Sequence, residues 1–523
     1  MADRYPDRPA VIHNGNILTY AELRAAVRER ARQLGPRPGV VAVPTSRSPE
    51  TIVSLFGVWA AGGTYCPIDP AFPRDRQDMM RSAAGCDAGG DADNDPDPPA
   101  YILFTSGSTG RPKPVTTPRR AIATTVESLR GLFALCESDR VLQFSSLNWD
   151  TCFEEILPAL SGGAALVFDD DAHTGSFRRF LRAVERQRIS ILDLPTAFWH
   201  ELVNHLREER VELPGCLRLV VIGGEAVNPA RLAEWRALPT GHLRLLNTYG
   251  CTETTLITHA VDLHGPLAAP APAGVAAGMA STAAEGTTTV AATAGTTTVA
   301  ATAGTTTVAA AGTTAAADPP RIAAATTALA TVDAPDTAGA TTDPVVGPAP
   351  IGRALPHVVE RIGPDGELLI GGPAIASGYR GLPEATRDRF VELAGERFFR
   401  TGDRVRRGPG GLLFPEGRLD AEVKIRGIRV DPAEVEAHIG ACPGVGAVAV
   451  APSTLAGRTA LVAYLVPLQT ADGATLGRRV TDFLRQRVPG HLIPSRIRVV
   501  PHLVYTATGK VDRQGSKEFF DGC

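Results

Sequence analysis

The sequence predicts an α/β protein in two parts, a large layered N-terminal body and a small α+β body at the C-terminus. Three observations carry that expectation. After residue 101, short β-prone runs alternate with helical stretches, as in a sheet covered by helices. Polar, glycine-rich segments follow several of those runs, where such folds hold ligands at the carboxyl ends of strands. Past residue 420 a compact new set of helix and strand signals begins.

A chain of 523 residues can bury large cores and hold more than one domain. Its net charge of -3 offers no electrostatic footprint for nucleic acid or an anionic membrane. No apolar run reaches membrane-spanning length, and the first residues, Met1-Ala2-Asp3-Arg4-Tyr5-Pro6, do not read as a signal peptide. The eight cysteines are scattered without a Cys-x-x-Cys pair, which fits free thiols in a reducing compartment. A cytoplasmic protein is the expectation.

Residues 11–20 read as a hairpin turning at Asn14-Gly15. Thr19 and Glu22 then form a capping box, with Leu23, Val27, Ala31 and Leu34 on one helical face before Gly35. Ser48-Pro49-Glu50 starts a second helix that stops at Gly62-Gly63. Residues 65–70 make a strand and turn, and 73–98 reads as a short linker rich in Asp and Gly. Tyr101 to Phe104 form a buried strand that breaks into Thr105-Ser106-Gly107-Ser108-Thr109-Gly110-Arg111-Pro112-Lys113. Gly107 and Gly110 let backbone N–H groups converge on an anion. The hydroxyls of Thr105, Ser106, Ser108 and Thr109 add donors, and Lys113 adds a cation. Such a loop suits the phosphates of a nucleotide, although it is not a Walker loop.

Further β-prone runs lie at 140–144, 165–168, 190–194 and 217–222, with helical stretches at 177–188 and 195–208. From 267 to 346 the chain is mostly Ala, Thr, Gly and Pro. The unit Gly-Thr-Thr-Thr-Val-Ala-Ala-Thr-Ala starts at Gly286 and Gly295 and begins again at Gly304. One Val per unit cannot offset the entropy of ordering it, so a disordered surface insertion is expected. Order returns at Pro350. Asp431-Pro432 starts a capped helix, 445–451 and 460–466 read as strands, and 476–488 as a helix.

Several segments together resemble the adenylation domains of nonribosomal peptide synthetases, in the adenylate-forming superfamily. They are the loop at 105–113, Asn247-Thr248-Tyr249-Gly250-Cys251-Thr252-Glu253, Thr401-Gly402-Asp403, Gly417-Arg418-Leu419-Asp420 and Gly509-Lys510-Val511-Asp512-Arg513. The likeness spans residues 9–260 and 349–514. Pro114 stands where the family has glycine, and Cys251 where it has proline.

The resemblance implies a layered core over 1–417 and a small mobile domain over 420–523, hinged at Asp420. It implies a two-step reaction using ATP and Mg2+: a carboxylate attacks the α-phosphate, and a thiol or amine then takes the acyl group. By family position Lys510 offsets the charge that develops between the two anions. Glu253 would hold the metal and Thr252 would touch the α-phosphate. Asp403 and Arg418 would meet the ribose, and Tyr249 and Asn247 the adenine. Lys424 lies on the face a rotated small domain would present; a solvated strand residue is the other reading.

Asp150 matches the family residue that pairs with the substrate amine, and Glu154 lies four residues on, so a helix puts both carboxylates on one face. By family alignment the pocket continues through Thr151, Asp193, Val221, Gly223, Thr248, Leu256 and Ile257, closing at Lys510. Three carboxylates against one lysine favour a substrate with two amines. The series resembles pockets for lysine-like substrates, β-lysine in particular, with ornithine too short for the distal acids. No attachment site for phosphopantetheine stands in the chain, so a separate carrier protein is the expected acceptor, in nonribosomal peptide antibiotic assembly. A CoA ligase or an inactive binding homologue are the alternatives, opposed respectively by Asp150 and by the retained Lys510, Asp403 and Glu253.

Overall fold

The computed structural model describes residues 1–86, 97–107, 111–266, 348–425, 427–455, 458–468, 473–506 and 511–521. Ser108, Thr109, Gly110, Lys510 and the Ala/Thr-rich stretch 267–346 fall outside the described residues. Among the described residues no helix is long and apolar enough to cross a membrane.

The hairpin forms as its sequence dictates. Pro9–His13 pairs antiparallel with Asn16–Thr19, and Asn14 and Gly15 both take positive φ (49° and 89°), as a tight two-residue turn of this hand requires. The helix Tyr20–Leu34 carries the full capping box, Thr19 accepting from the Glu22 amide while Glu22 accepts from Thr19. Pro49–Ala60 follows, with Pro49 at its first position. The linker reading of 73–98 is corrected in part: Arg74–Ala84 is a helix. Its charged sequence hides a single buried line at four-residue spacing, Arg76, Met80 and Ala84, and Gly85 ends it at φ 74°.

The layered α/β core is built on two sheets. A nine-stranded sheet runs Arg353–Ala354, Ile257–His264, Arg244–Gly250, Leu219–Gly223, Ile191–Pro195, Arg140–Leu142, Ala165–Phe168, Pro9–His13, Asn16–Thr19. Its central strands are parallel and apolar on both faces, because helices cover them. The second sheet contains Pro99–Thr105, antiparallel to Lys113–Pro118, with Tyr101 and Ile102 wholly buried. Pro114 lies opposite Phe104 in that strand, so the departure from the family's glycine falls outside the turn itself. A third sheet joins Glu367–Gly371, Glu396–Arg407 and Leu413–Arg418.

The C-terminal body has its own core of Val435, Ile439, Val450, Leu461, Val480 and Leu484. Pro432–Gly440 is capped by Asp431, which accepts from the Ala433 amide at 2.9 Å. Val445–Leu455 and Arg458–Pro467 are antiparallel, Arg496–Val499 adds a parallel strand, and Gly473–Arg485 is the helix over them.

Candidate active site

Three strand ends and one helix start meet at a cavity of about 230 Å³. Pro99–Thr105 brings Thr105, Ile191–Pro195 brings Asp193, and Leu219–Gly223 brings Gly223. The helix Thr151–Gly162 begins at Asp150, so Asp150, Thr151 and Glu154 enter the same space. Thr248, Thr252, Leu256 and Ile257 also line it, with Arg418, Lys424 and Arg429 on the side of the C-terminal segment. Val221, in register with Asp193, instead joins the hydrophobic core with Leu256 and Ile257. The turn beside Leu256 needs glycine: a Cβ on Gly250 would stand 1.9 Å from the Leu256 carbonyl oxygen. Thr255 and Leu256 hold left-handed backbone there, φ 57° and 67°.

Glu154 and Asp193 are buried, and among the described residues none of the three cavity acids forms an ion pair with lysine or arginine. Burial pushes Asp150 up to about 6, against a restraining hydrogen bond from Thr252. Burial, then the charges of Asp193 and Asp150, hold the Glu154 carboxyl well above the usual range. Burial raises Asp193 too, and its Oδ2 has no hydrogen-bond partner. The neighbouring Glu155 is also wholly buried, yet it faces away from the cavity. It accepts from the Phe144 and Ser145 amides at 3.0 and 2.9 Å and from Gln143 Nε2 at 3.0 Å.

At the loop after Pro99–Thr105, the chain folds so tightly that a Cβ on Gly107 would meet the Arg111 carbonyl oxygen at 2.1 Å. Ser106 Oγ is buried without a partner. The Gly107 amide donates to Glu434 Oε2 at 3.3 Å, and Arg76 Nη1 donates to the other oxygen of Glu434 at 3.3 Å. A carboxylate of the C-terminal body thus sits on this turn. Lys113 Nζ lies 5.4 Å from the centroid of the Tyr379 ring.

Glu253, on the turn Thr252–Thr254, is almost wholly buried. Tyr379 Oη donates to its Oε1 at 2.7 Å, and Arg429 Nη1 reaches Oε2 at 3.3 Å. Burial opposes the charge, but Arg429 and the Tyr379 hydroxyl outweigh it and hold the carboxyl below its ordinary value. Asp403 accepts from Tyr249 Oη and from Arg418 Nη1, both at 2.7 Å. Arg418 also binds Asp420 at 2.6 Å and Glu422 at 2.8 Å. Lys424 lines the cavity with its Nζ 5.5 Å from the Tyr249 ring centroid. Asn247 lies apart from the cavity lining: its Nδ2 donates to the Pro350 carbonyl at 2.8 Å.

Arg429, Glu434, Arg76, Glu155 and Tyr379 gave no functional signal in the sequence. Except for Glu155, whose partners are residues 143–145, their partners lie far away in the chain, 176 residues for Arg429 and Glu253 and 327 for Gly107 and Glu434. Only charged or aromatic residues inside apolar strand and helix patterns marked them.

Residues 1–89 and 87–283 match the family described as AMP-binding enzyme, and 434–510 match its C-terminal domain. An isonitrile lipopeptide synthase of Streptomyces coeruleorubidus is 35% identical over 96% of this chain and 32% of its own length. A phenyloxazoline synthase MbtB of Mycolicibacterium paratuberculosis is 30% identical over 98% of this chain and 41% of its own length. The chain therefore spans only a third to two fifths of these curated relatives. An artificially fused adenylation–PCP di-domain of Klebsiella oxytoca, NpsA-ThdA, shares the fold with a TM-score of 0.69. It is 21% identical, covering 95% of this chain and 91% of that one.

Proposed function

Since the chain belongs to the AMP-binding enzyme family, adenylate-forming ligases that use ATP with Mg2+, we propose that it activates a basic amino acid, lysine or β-lysine, as the aminoacyl-AMP. The observation that supports this substrate is the trio of Asp150, Glu154 and Asp193 on one cavity without a cationic partner among the described residues. Asp150 at the mouth of the helix meets one amine. Glu154 and Asp193, both buried, meet the second. A neutral side chain would leave those two carboxyls desolvated and uncompensated, so they would keep their protons.

The substrate carboxylate then attacks the α-phosphorus of ATP, and pyrophosphate leaves. Thr252, which lines the cavity and hydrogen-bonds Asp150, would touch the α-phosphate. Thr105, Ser106, Gly107 and Lys113 offer hydroxyls, an amide and a cation to the outer phosphates. Ser108, Thr109 and Gly110 belong to the same motif by sequence. The residues present fit Mg2+: Glu253 already accepts a cation, the Arg429 guanidinium, on its buried carboxylate. No group of three protein ligands occurs among the described residues, which suits an ion that takes one or two carboxylates plus phosphates and waters. Glu253 would hold it, and the ion would supply positive charge to offset that of the phosphates. Asp403, fixed by Arg418 and Tyr249, serves the ribose hydroxyls; Tyr249 and Asn247 serve the adenine. Lys510 is the proposed counter-charge of the adenylation step.

Residues 1–417 and 420–523 are the proposed moving parts, turning at Asp420. The arrangement described brings Lys424, Gly427 and Arg429 to the cavity, the face proposed for the second half-reaction. The acyl group would then pass to the phosphopantetheine thiol of a separate carrier protein or to an amine.

ATP–pyrophosphate exchange across a panel of amino acids tests the substrate. Lysine or β-lysine is expected to lead, with ornithine slower, and preference for a neutral or acidic amino acid overturns the reading. Lys510→Ala is expected to lower exchange by about 10²–10³-fold, with the melting temperature unchanged.

A further inference from the structure

We infer that Tyr379 is a positioning residue that ties the metal carboxylate to the phosphate-loop lysine, an inference that rests on the roles proposed above for Glu253 and Lys113. In the structure one side chain touches both partners. Its hydroxyl donates to Glu253 Oε1 at 2.7 Å, and its ring meets Lys113 Nζ at 5.4 Å from the centroid. Tyr379 is itself buried and packs edge-on against Phe390 at 5.8 Å, so the ring has little freedom.

The backbone repeats the same link. Gly378–Tyr379 pairs with Lys113–Pro118, Tyr379 opposite Val115. The Arg380 amide donates to the Pro114 carbonyl at 2.8 Å, while the Ala376 amide donates to the Glu253 carbonyl at 2.8 Å. Five residues therefore bridge the strand that leaves the phosphate loop and the turn that carries Glu253. A lone carboxylate rotates about its last bond. The short hydrogen bond from Tyr379 on Oε1 opposes that rotation, while Arg429 Nη1 spans both oxygens at 3.4 and 3.3 Å. Outer-shell partners of this kind are typically worth 10–100-fold in metal affinity.

The test measures binding in the full-length protein. Mn2+ replaces Mg2+ in a paramagnetic-resonance titration with a non-hydrolysable ATP analogue, and a fluorescent nucleotide reports metal-free binding in chelator. Tyr379→Phe is expected to weaken Mn2+ by about 10-fold, leaving metal-free nucleotide affinity and melting temperature unchanged. Tyr379→Leu, which also removes the ring from Lys113, is expected to weaken metal-free nucleotide by about 2- to 5-fold in addition. Glu253→Gln separates the two levels. If it leaves Mn2+ binding unchanged, the metal role of Glu253 fails. If it weakens Mn2+ tenfold or more while Tyr379→Phe stays within twofold of the parent, the positioning role of Tyr379 is overturned. Tyrosine variants that lower only thermal stability overturn it equally, and should Tyr379→Leu not fold, the conservative Phe variant decides alone.

Discussion

Around the cavity Asp150, Glu154 and Asp193 lack a cationic partner among the described residues, whereas Glu253 and Asp403 each meet an arginine and a tyrosine hydroxyl. Both groups lose water. The second recovers the loss through charge-assisted hydrogen bonds, and Glu253 stays ionised below its ordinary pKa. The first recovers little, and all three of its carboxyls are raised. Glu155, in the same helix, shows the cost of burial even when hydrogen bonds are made: the Phe144 and Ser145 amides donate to it, yet burial still raises its carboxyl to about 8. A protein keeps uncompensated carboxyls where something else completes them, and here the complement proposed is the substrate's ammonium groups.

The largest expected effect comes from neutralising the first group. Glu154→Gln with Asp193→Asn should lower kcat/KM for lysine or β-lysine in exchange by about 10²-fold or more, with neutral amino acids changed little. Equal losses for both classes would mean that the acids shape the pocket without recognising charge. Breaking the second group should act on stability. Arg418→Met leaves Asp403 without its cation, while Asp420 keeps Arg389 and Glu422 keeps Arg389 and Arg429, and should cost about 3 kcal/mol in denaturant unfolding. A loss within experimental error would show that solvent replaces the guanidinium.

The pH dependence of stability should separate the groups by sign. Asp150 is raised from 3.8 to about 6, so the folded state holds the proton longer than the unfolded chain. Its stabilising contribution is complete below about 4 and is lost as pH climbs to about 6; Glu154 and Asp193 extend the decline upward. Glu253 is lowered below 4.5, so its contribution is present above that pH and is lost as acid protonates it. Melting curves of the substrate-free protein should fall from pH 5 to 8, and the Glu154→Gln, Asp193→Asn variant should flatten that fall. A double variant with the parent's slope contradicts the assignment. The smallest effect is expected from replacing residues 267–346 with a short Gly/Ser linker, which should keep exchange activity and shift the melting temperature little. Unfolding on that replacement would show that the segment contributes to the core.

Local patterns made much of the molecule legible in its sequence. Asn14-Gly15 demanded its turn, Thr19 with Glu22 demanded a helix start, and Asp431-Pro432 demanded another, because those preferences are set by φ angles and capping bonds within four residues. Alternating strand and helix signals sufficed for the α/β class, and the four-residue step from Asp150 to Glu154 sufficed to place two acids on one face. The helix Arg74–Ala84 stayed hidden because its buried line is one residue wide and includes an arginine. Tertiary structure alone decided that Glu154 faces the cavity while Glu155 turns to the 143–145 backbone, and that Val221 belongs to the core. It alone decided which acids are paired, for Arg429 reaches Glu253 across 176 residues and Glu434 reaches Gly107 across 327. Side-chain chemistry is written in the sequence, but whether a charge finds its counter-charge depends on which distant segments the packing brings within a few ångströms.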